Sequence, residues 1–288
     1  MREAWIISVG TELLRGRVVN TNAAWLADRL TKLGFSVSRV VTVPDSIDDI
    51  EEELRRALAR AEVVVTTGGL GLGPDDVTLE AIARATGKKL VLHSDALSFV
   101  ERYCKKYGIE LRESRIKLAM APEGAQIVEN PVGAAPGIVL THGDKLVIAL
   151  PGPPGEVRAI FEKLVQLLVA RAGRPSAIVE CRIEIRDVLE ADIAQSLLEL
   201  RESLKGLFFI KSYPRGLEYA EPSVVVELST VCDPTEVEKY LEVARKAVET
   251  VVAEAGKAKG SVVLSDCTAK SINDSIYSYD GNSSSNHS

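Results

Sequence analysis

No two cysteines in this sequence have the CxxC spacing of a zinc site or a redox centre. The four cysteines, Cys104, Cys181, Cys232 and Cys267, are scattered, so we predict reduced thiols rather than a metal site or a disulfide framework. A long apolar run is also missing, and the apolar part of the N-terminus is too short for a signal peptide. From these absences we expect a cytoplasmic protein with no membrane partner.

Positive charge is not in excess. The chain has 35 Lys and Arg against 41 Asp and Glu, a net charge of −6, and we therefore expect no nucleic-acid partner. Asn and Gln are scarce before residue 268, which is typical of a thermophilic source. The end of the chain is instead rich in Ser and Asn and poor in apolar residues, and we predict a disordered tail over residues 266–288.

Strand-like and helix-like segments alternate through the first half of the chain. Buried strands are predicted over 4–10, 35–43 and 62–67, and the helices between them have apolar stripes such as Leu26, Leu30 and Leu33. This order requires parallel strands joined by helical crossovers. Gly143 and Asp144 predict a hairpin between two later strands, 137–142 and 145–152. The fold class predicted for residues 1–173 is therefore α/β in layers, with a mixed, mostly parallel sheet.

The order of segments changes at "AGRPSA" (172–177). Beyond it the patterns predict a strand, a helix, two strands and a helix, over 178–186, 190–204, 207–213, 223–231 and 234–255. That order is typical of a small α+β domain with its helices on one face of a sheet, which we place over 175–262. The alternative is a continuation of the first sheet.

Residues 63–83, "VVVTTGGLGLGPDDVTLEAIA", join a strand to a helix through a turn with four glycines. The turn lacks the lysine of a Walker A loop, and Pro74 stands where a dinucleotide fingerprint needs its third glycine. We predict that backbone N–H groups of Gly68, Gly69 and Gly71 bind phosphate. The alternative is a turn with no ligand.

Two aspartates end the turn. Capping of the helix near Thr78 accounts for one of them, but a bare phosphate would be repelled by both Asp75 and Asp76. A divalent cation, Mg²⁺, removes the conflict because one or two carboxylates and phosphate oxygens complete its shell. Glu80 is then the candidate residue that orients the metal ligands without binding the metal itself.

Three further loops contribute candidates. The loop after the first strand lies where α/β folds bind ligands. The alternative for Asn20 and Asn22 is that they only cap a helix. Two Gly/Pro-rich loops, "NPVGAAPG" (130–137) and "LPGPPGE" (150–156), are rigid. Arg115 and Lys117 are phosphate partners or part of a solvated face. The predicted ligand-binding residues of these loops are Gly10, Thr11, Asn20, Asn22, Gly133, Gly137, Pro151 and Gly152.

These motifs in this order resemble the MoaB/Mog molybdopterin-binding superfamily, and most closely the N-terminal domain of CinA-like proteins. The resemblance covers residues 4–170, and residues 175–262 resemble the KH-type domain that follows in CinA proteins. It implies a three-layer α/β/α domain that binds molybdopterin or a nucleotide, with Asp76 at the phosphate and metal site. CinA-type members are associated with metal-dependent hydrolysis of ADP-ribose.

This sequence departs from the family in three places. Leu72 and Gly73 stand where the family usually has Pro-Thr, which removes a hydroxyl from the loop. The KH-like part has no GxxG loop, so we expect a packing or dimerisation module and a homo-oligomer. We also expect no nicotinamide mononucleotide deamidase domain, which often follows in bacterial CinA proteins.

The leading hypothesis is a metal-dependent nucleotide pyrophosphatase that hydrolyses ADP-ribose-like diphosphates. Asp75 and Asp76 would hold Mg²⁺, and Glu12 is the candidate general base by its motif context. One alternative is a step of molybdenum-cofactor biosynthesis, in which the protein adenylylates molybdopterin or holds it for metal insertion. A second alternative is a non-catalytic sensor of a nucleotide or pterin.

Overall fold

The computed structural model describes residues 2–173, 177–215 and 221–271, and the chain divides into two compact units after Gly173. The strands of the first unit are β1 (Arg2–Val9), β2 (Phe35–Val43), β3 (Val63–Thr67), β4 (Leu90–Leu92), β5 (Met120–Pro122), β6 (Gln126–Val128), β7 (Gly137–His142) and β8 (Lys145–Leu150). Its helices are α1 (Thr11–Leu14), α2 (Thr21–Lys32), α3 (Ile47–Leu58), α4 (Thr78–Thr86), α5 (Ser94–Tyr107), α6 (Glu113–Ile116) and α7 (Pro154–Ala172).

The main sheet of this unit has the strand order β2-β1-β3-β8-β7-β6. The first four strands are parallel, and β7 and β6 are antiparallel to their neighbours. Gly143 and Asp144 turn the hairpin between β7 and β8, where the positive φ of Gly143 (59°) suits a glycine. The prediction of a mixed, mostly parallel sheet in an α/β unit is confirmed.

Helices cover both faces of the sheet. Along β1, Trp5 and Ile7 point into a core shared with α3 and α4, and the alternating Ile6 points to the other face. There α2 packs against β1 and α7, and the ring of Trp25 meets that of Phe161 edge to face at 5.2 Å. The predicted crossover helices therefore supply the two outer layers.

One predicted strand lies outside the main sheet. Residues 90–92 form β4, which pairs antiparallel with β5 in a separate sheet of two strands. The pattern of "KKLVLH" predicted a continuation of the main alternation. The pairing could not be read from it because β5 lies almost thirty residues later, in a segment too short to show periodicity.

The second unit contains the strands β9 (Ala177–Arg186), β10 (Phe209–Arg215), β11 (Ser223–Cys232) and β12 (Ser261–Ser271), and the helices α8 (Glu190–Ser203) and α9 (Val237–Lys257). Its sheet is antiparallel, in the order β10-β11-β9-β12. Both helices share one core with alternate residues of the strands, among them Val179, Ile183, Leu200 and Ala244. This is a small α+β unit separate from the first sheet, and its likeness to a KH domain stays a prediction.

The predicted tail was wrong at its start. Residues 266–271 complete β12, which pairs with β9 along its whole length, and the rest of the tail, 272–288, lies outside the described residues. Low apolar content misled the prediction because β12 is an exposed edge strand, held largely by backbone bonds.

The prediction of four reduced cysteines was also wrong. Cys181 and Cys267 are directly opposite each other on β9 and β12, and they form a disulfide across a sequence separation of 86 residues. The remaining two, Cys104 and Cys232, are buried free thiols. The strand register brings Cys181 and Cys267 together, and their spacing along the chain does not indicate that they pair. Within the described ranges, no helix is long and apolar enough to cross a bilayer.

Candidate functional site

A cavity of about 400 Å³ opens where the parallel strands of the first unit end. The carboxyl ends of β1, β2, β3 and β8 meet at one edge of the sheet, so the loops that follow them converge there. The loop before β7 reaches the same edge because β7 runs antiparallel to β8. The cavity is thus lined by residues of these five loops and by Leu118.

The glycine turn after β3 makes the floor of this cavity. Gly68 has a φ of 100°, and a Cβ there would overlap the carbonyl oxygen of Val9 at the end of β1. Gly69 has a φ of 69°, and its missing Cβ leaves room for the hydroxyl of Thr78. That hydroxyl donates to the carbonyl of Gly68 at 2.9 Å. Two glycines are therefore required by geometry, and Thr78 is a buried support of the turn that does not line the cavity.

The two aspartates of the turn both line the cavity. Asp76 Oδ2 accepts a hydrogen bond of 2.7 Å from the backbone N–H of Gly73, and Lys117 donates to the carbonyl oxygen of the same glycine. A Cβ at Gly71 would lie 2.6 Å from Asp76 Oδ2. The turn therefore closes around these carboxylates, and Lys117 binds one of its carbonyl oxygens.

Two carboxylates from the loops after β1 and β2 join them. Glu12 lines the cavity, and among the described residues its carboxylate has no hydrogen-bond partner. Asp45 follows β2: its Oδ2 accepts from the backbone N–H of Thr11 at 2.7 Å, and its own N–H donates to Thr11 Oγ1 at 3.3 Å. Sequence reasoning missed Asp45, because "VPDSID" is typical of a turn and helix start, and only the sheet order places it here.

A second missed residue is Glu156, in the first turn of α7. Its Oε2 accepts from Asn130 Nδ2 at 2.6 Å, and a Cβ at Gly133 would overlap the Glu156 carboxyl group. Burial raises the pKa of the half-buried Glu156, and the Asn130 hydrogen bond lowers it by less. Residues of both Gly/Pro-rich loops, 130–137 and 150–156, line the cavity, but the prediction did not include the carboxyl group of Glu156.

Several predicted residues have other roles in the structure. Asn20 caps α2 by accepting from Ala23 N at 3.1 Å. Asn22 donates to Thr67 Oγ1 at 3.1 Å and to the Gly152 carbonyl at 2.8 Å, which ties three loops together. Both asparagines line a smaller cavity of about 100 Å³, which shares Glu12 and Gly152 with the main one.

Gly10, Gly137 and Glu80 do not line the main cavity. A Cβ at Gly10 would overlap the Glu12 carboxylate, and one at Gly137 would lie 2.5 Å from Ile160 Cγ2 in α7. Glu80 pairs with Arg84 across one turn of α4 at 2.7 Å. The two glycines thus serve packing, and Glu80 is part of a surface ion pair, away from Asp75 and Asp76.

The cavity is strongly acidic. Glu12, Asp45, Asp75, Asp76 and Glu156 all line it, and no Lys, Arg or His is among its described lining residues. Pro151 and Gly152, both predicted, complete the lining together with apolar side chains such as Leu70 and Leu118. An anionic ligand in this cavity needs a cation to offset the repulsion by these carboxylates.

Several known proteins are similar to this chain. A family described as a probable molybdopterin binding domain matches residues 5–171. A protein of Aeropyrum pernix is 50% identical over 251 residues, which are 85% of this chain and 93% of that protein. A protein of Pyrobaculum calidifontis is 44% identical over 253 residues, 87% of this chain and 96% of its own.

One solved structure is similar to this chain in both sequence and fold. The crystal structure of the protein CinA, of unknown function, from Thermoplasma acidophilum is 41% identical in sequence and superimposes with a TM-score of 0.55. The match covers 58% of this chain and 99% of that one. The segment matched by the family description contains every residue that lines the cavity.

Proposed function

The chain belongs to the family of probable molybdopterin binding domains, and from this premise we propose that its acidic cavity binds a phosphorylated pterin or nucleotide. The phosphate groups would lie on the backbone N–H groups of Gly69 and Gly71, where glycines allow close approach. The predicted donor Gly68 is instead occupied, because its N–H donates to the Leu150 carbonyl at 3.0 Å, and the N–H of Gly73 donates to Asp76. The observation that carries this proposal is the convergence of a glycine turn and five carboxylates in one cavity.

The donor set of the cavity fits a divalent cation that is shared with phosphate. Mg²⁺ prefers oxygen ligands and takes one or two carboxylates together with phosphate oxygens and waters. The described residues contain no group of three or more His, Cys, Asp or Glu that would enclose a metal alone. We propose Asp75 and Asp76 as its carboxylate ligands, where a bound cation would neutralise phosphate charge.

Binding of ADP-ribose and of GDP, measured by titration calorimetry with and without Mg²⁺, tests this proposal. We expect binding that needs Mg²⁺ and that Asp76→Asn weakens by at least tenfold. Asp144→Asn is the matched control: it removes the same charge from the hairpin at the opposite edge of the sheet. Binding that depends on neither Mg²⁺ nor Asp76 would refute the proposed site.

A second candidate function is hydrolysis of an ADP-ribose-like diphosphate, which the position of Glu12 favours. Its carboxylate lines the same cavity as Asp75 and Asp76 and has no partner in the described chain, so it is available to take a proton from water. The products would be AMP and ribose 5-phosphate. We expect Glu12→Gln to retain ligand binding and to lose product formation, because only the proton acceptor is removed.

The remaining hypotheses predict different products. Adenylylation of molybdopterin would consume ATP and form pyrophosphate only when the pterin is present. A sensor of a nucleotide or pterin would bind with Mg²⁺, or with another divalent metal, and form no product. Chromatography of the same incubations therefore separates hydrolysis, nucleotidyl transfer and binding alone.

A further inference from the structure

Glu156 occupies a different setting from the aspartates of the glycine turn. Its neighbours in the two rigid loops, Ala134, Ala135 and Pro153, are apolar and line the same cavity. Leu118, 5% exposed, adds a further apolar surface to the lining. A flat ring is the kind of ligand group that apolar walls with one fixed polar group accept.

The Glu156 carboxyl group is held by a buried asparagine that is itself fixed. Asn130 donates to it with one hydrogen of Nδ2, and the same amide nitrogen donates to the Ala135 carbonyl at 2.9 Å. The Asn130 oxygen accepts from the backbone N–H groups of Val132 and Gly133 at 3.1 and 2.9 Å. Asn130 is 3% exposed and uses all of these bonds to fix one loop, so it presents a fixed donor to Glu156.

Gly133 completes this arrangement. A side chain there would overlap the Glu156 carboxyl group and would come within 2.6 Å of Asn130 Nδ2. A carboxylate needed only to favour the N-terminus of α7 would be stabilised there by solvent exposure and would require neither Asn130 nor a glycine opposite it. The loop 130–137 is therefore shaped around a carboxyl group whose remaining lone pairs are free to accept hydrogen bonds.

We propose that Glu156 is the residue that determines ring specificity, by accepting two parallel N–H bonds from a 2-amino-4-oxopyrimidine edge. Pterins and guanine share this edge, in which a ring N–H lies beside an exocyclic amino group. This proposal rests on the first proposed function, the binding of a phosphorylated pterin or nucleotide, since it assigns the ring of a ligand whose phosphate groups bind at the glycine turn. It disfavours the second candidate function, because ADP-ribose contains adenine.

Adenine does not offer the same pair of donors. Its edge has one amino group beside a ring nitrogen with a lone pair, and that lone pair would face a carboxylate oxygen. Hypoxanthine keeps the ring N–H but lacks the amino group. A fixed carboxylate should therefore prefer guanine over hypoxanthine and over adenine, because mismatched polar groups in a desolvated site are left unpaired.

The test compares the binding of GDP, IDP and ADP, each with Mg²⁺, to the full chain. Wild type should bind GDP about tenfold to a hundredfold more tightly than ADP, with IDP between them. Glu156→Gln keeps the shape and should reduce this ratio to near one, because GDP binding weakens when the paired acceptor is lost. Gly133→Ala keeps the charge but displaces it, and should also reduce the ratio. Asp144→Asn controls for net charge.

Competition with neopterin phosphate distinguishes the two sources of the edge. If neopterin phosphate displaces labelled GDP at a lower concentration than unlabelled GDP does, the site is a pterin site. If it needs a higher concentration, the site is a guanine site. A GDP-to-ADP affinity ratio near one in wild type, or the same ratio in Glu156→Gln as in wild type, would overturn the assignment of Glu156. If binding still depends on Mg²⁺ and Asp76 in that case, the proposed function stands without this inference. If no nucleotide and no pterin binds, the proposed function fails and this inference fails with it. A cooperative melting transition for each variant shows that it is folded.

Discussion

At position 73 the absence of a side chain leaves room for the Asp75 carboxylate. A Cβ at Gly73 would overlap Asp75 Oδ1 and would lie 3.0 Å from Asp76 Oδ2. The resemblance predicted that the Leu72-Gly73 departure removes a hydroxyl contact. The geometry adds that a threonine at 73 would also require Asp75 to move, so the glycine and the position of Asp75 belong together.

We therefore expect Gly73→Ala to weaken Mg²⁺-dependent nucleotide binding about tenfold while it leaves the melting temperature nearly unchanged. The loop residue has an ordinary φ, so the added methyl group displaces a carboxylate without straining the backbone. Titration calorimetry at several Mg²⁺ concentrations measures the effect. Gly256→Ala is the control, since a Cβ there contacts nothing; equal affinities in both variants would contradict the prediction.

The Glu156 carboxyl group should also make stability depend on pH. Burial raises its folded pKa above the unfolded value, so the folded chain holds this proton more tightly. The contribution of this group to the free energy of unfolding is present below the unfolded pKa and is lost as pH rises through the folded pKa. We expect Glu156→Gln to become more stable relative to wild type across that window.

Urea denaturation from about pH 4 to pH 8 measures this difference. Both tryptophans, Trp5 and Trp25, lie in the first unit, so their fluorescence follows the unit that contains Glu156. A difference between variant and wild type that stays constant with pH would show that this carboxyl group does not titrate differently in the folded chain.

Elements of regular periodicity were predictable from the sequence. The strand over 35–43 has the predicted bounds, because a β-branched run ends at a clear turn signal. Helix α2 buries Leu26 and Leu30 of its predicted apolar stripe. The exposed edge strand β12 and the short β4–β5 pair were not predictable. Their stability comes from partners distant in sequence, which no local pattern records.

The disulfide between β9 and β12 gives a test at this scale. Cross-linking residues 86 apart lowers the entropy of the unfolded second unit, and by that account Cys267→Ser should cost about 2–4 kcal/mol of its stability. Denaturation followed by far-ultraviolet circular dichroism measures the loss. A thiol reductant should destabilise wild type to the same extent and should have no further effect on the variant; an effect on both would point to another cause.

The candidate site depends on the whole first unit. The glycine turn and its aspartates were visible because they are contiguous, whereas Asp45 and Glu156 reach the cavity only through the order β2-β1-β3-β8. A single sequence gives no register or sheet order, so these two carboxylates could not be assigned in advance. The predicted homo-oligomer and cytoplasmic location stay predictions, and sedimentation of the purified chain tests the first.

The two units have separate cores, which predicts that two perturbations act on different transitions. A ligand of the cavity should stabilise only the first unit, by about 2.7 kcal/mol at a concentration of one hundred times Kd. A reductant should destabilise only the second unit, which contains the single disulfide of the described residues. Tryptophan fluorescence reports the first unit and circular dichroism reports both. The transition seen by fluorescence should therefore shift with GDP and Mg²⁺ but not with reductant. Circular dichroism should show a second transition, which shifts with reductant but not with GDP and Mg²⁺. If each agent shifts both signals equally, the units unfold as one and the second unit contributes to the stability of the ligand site.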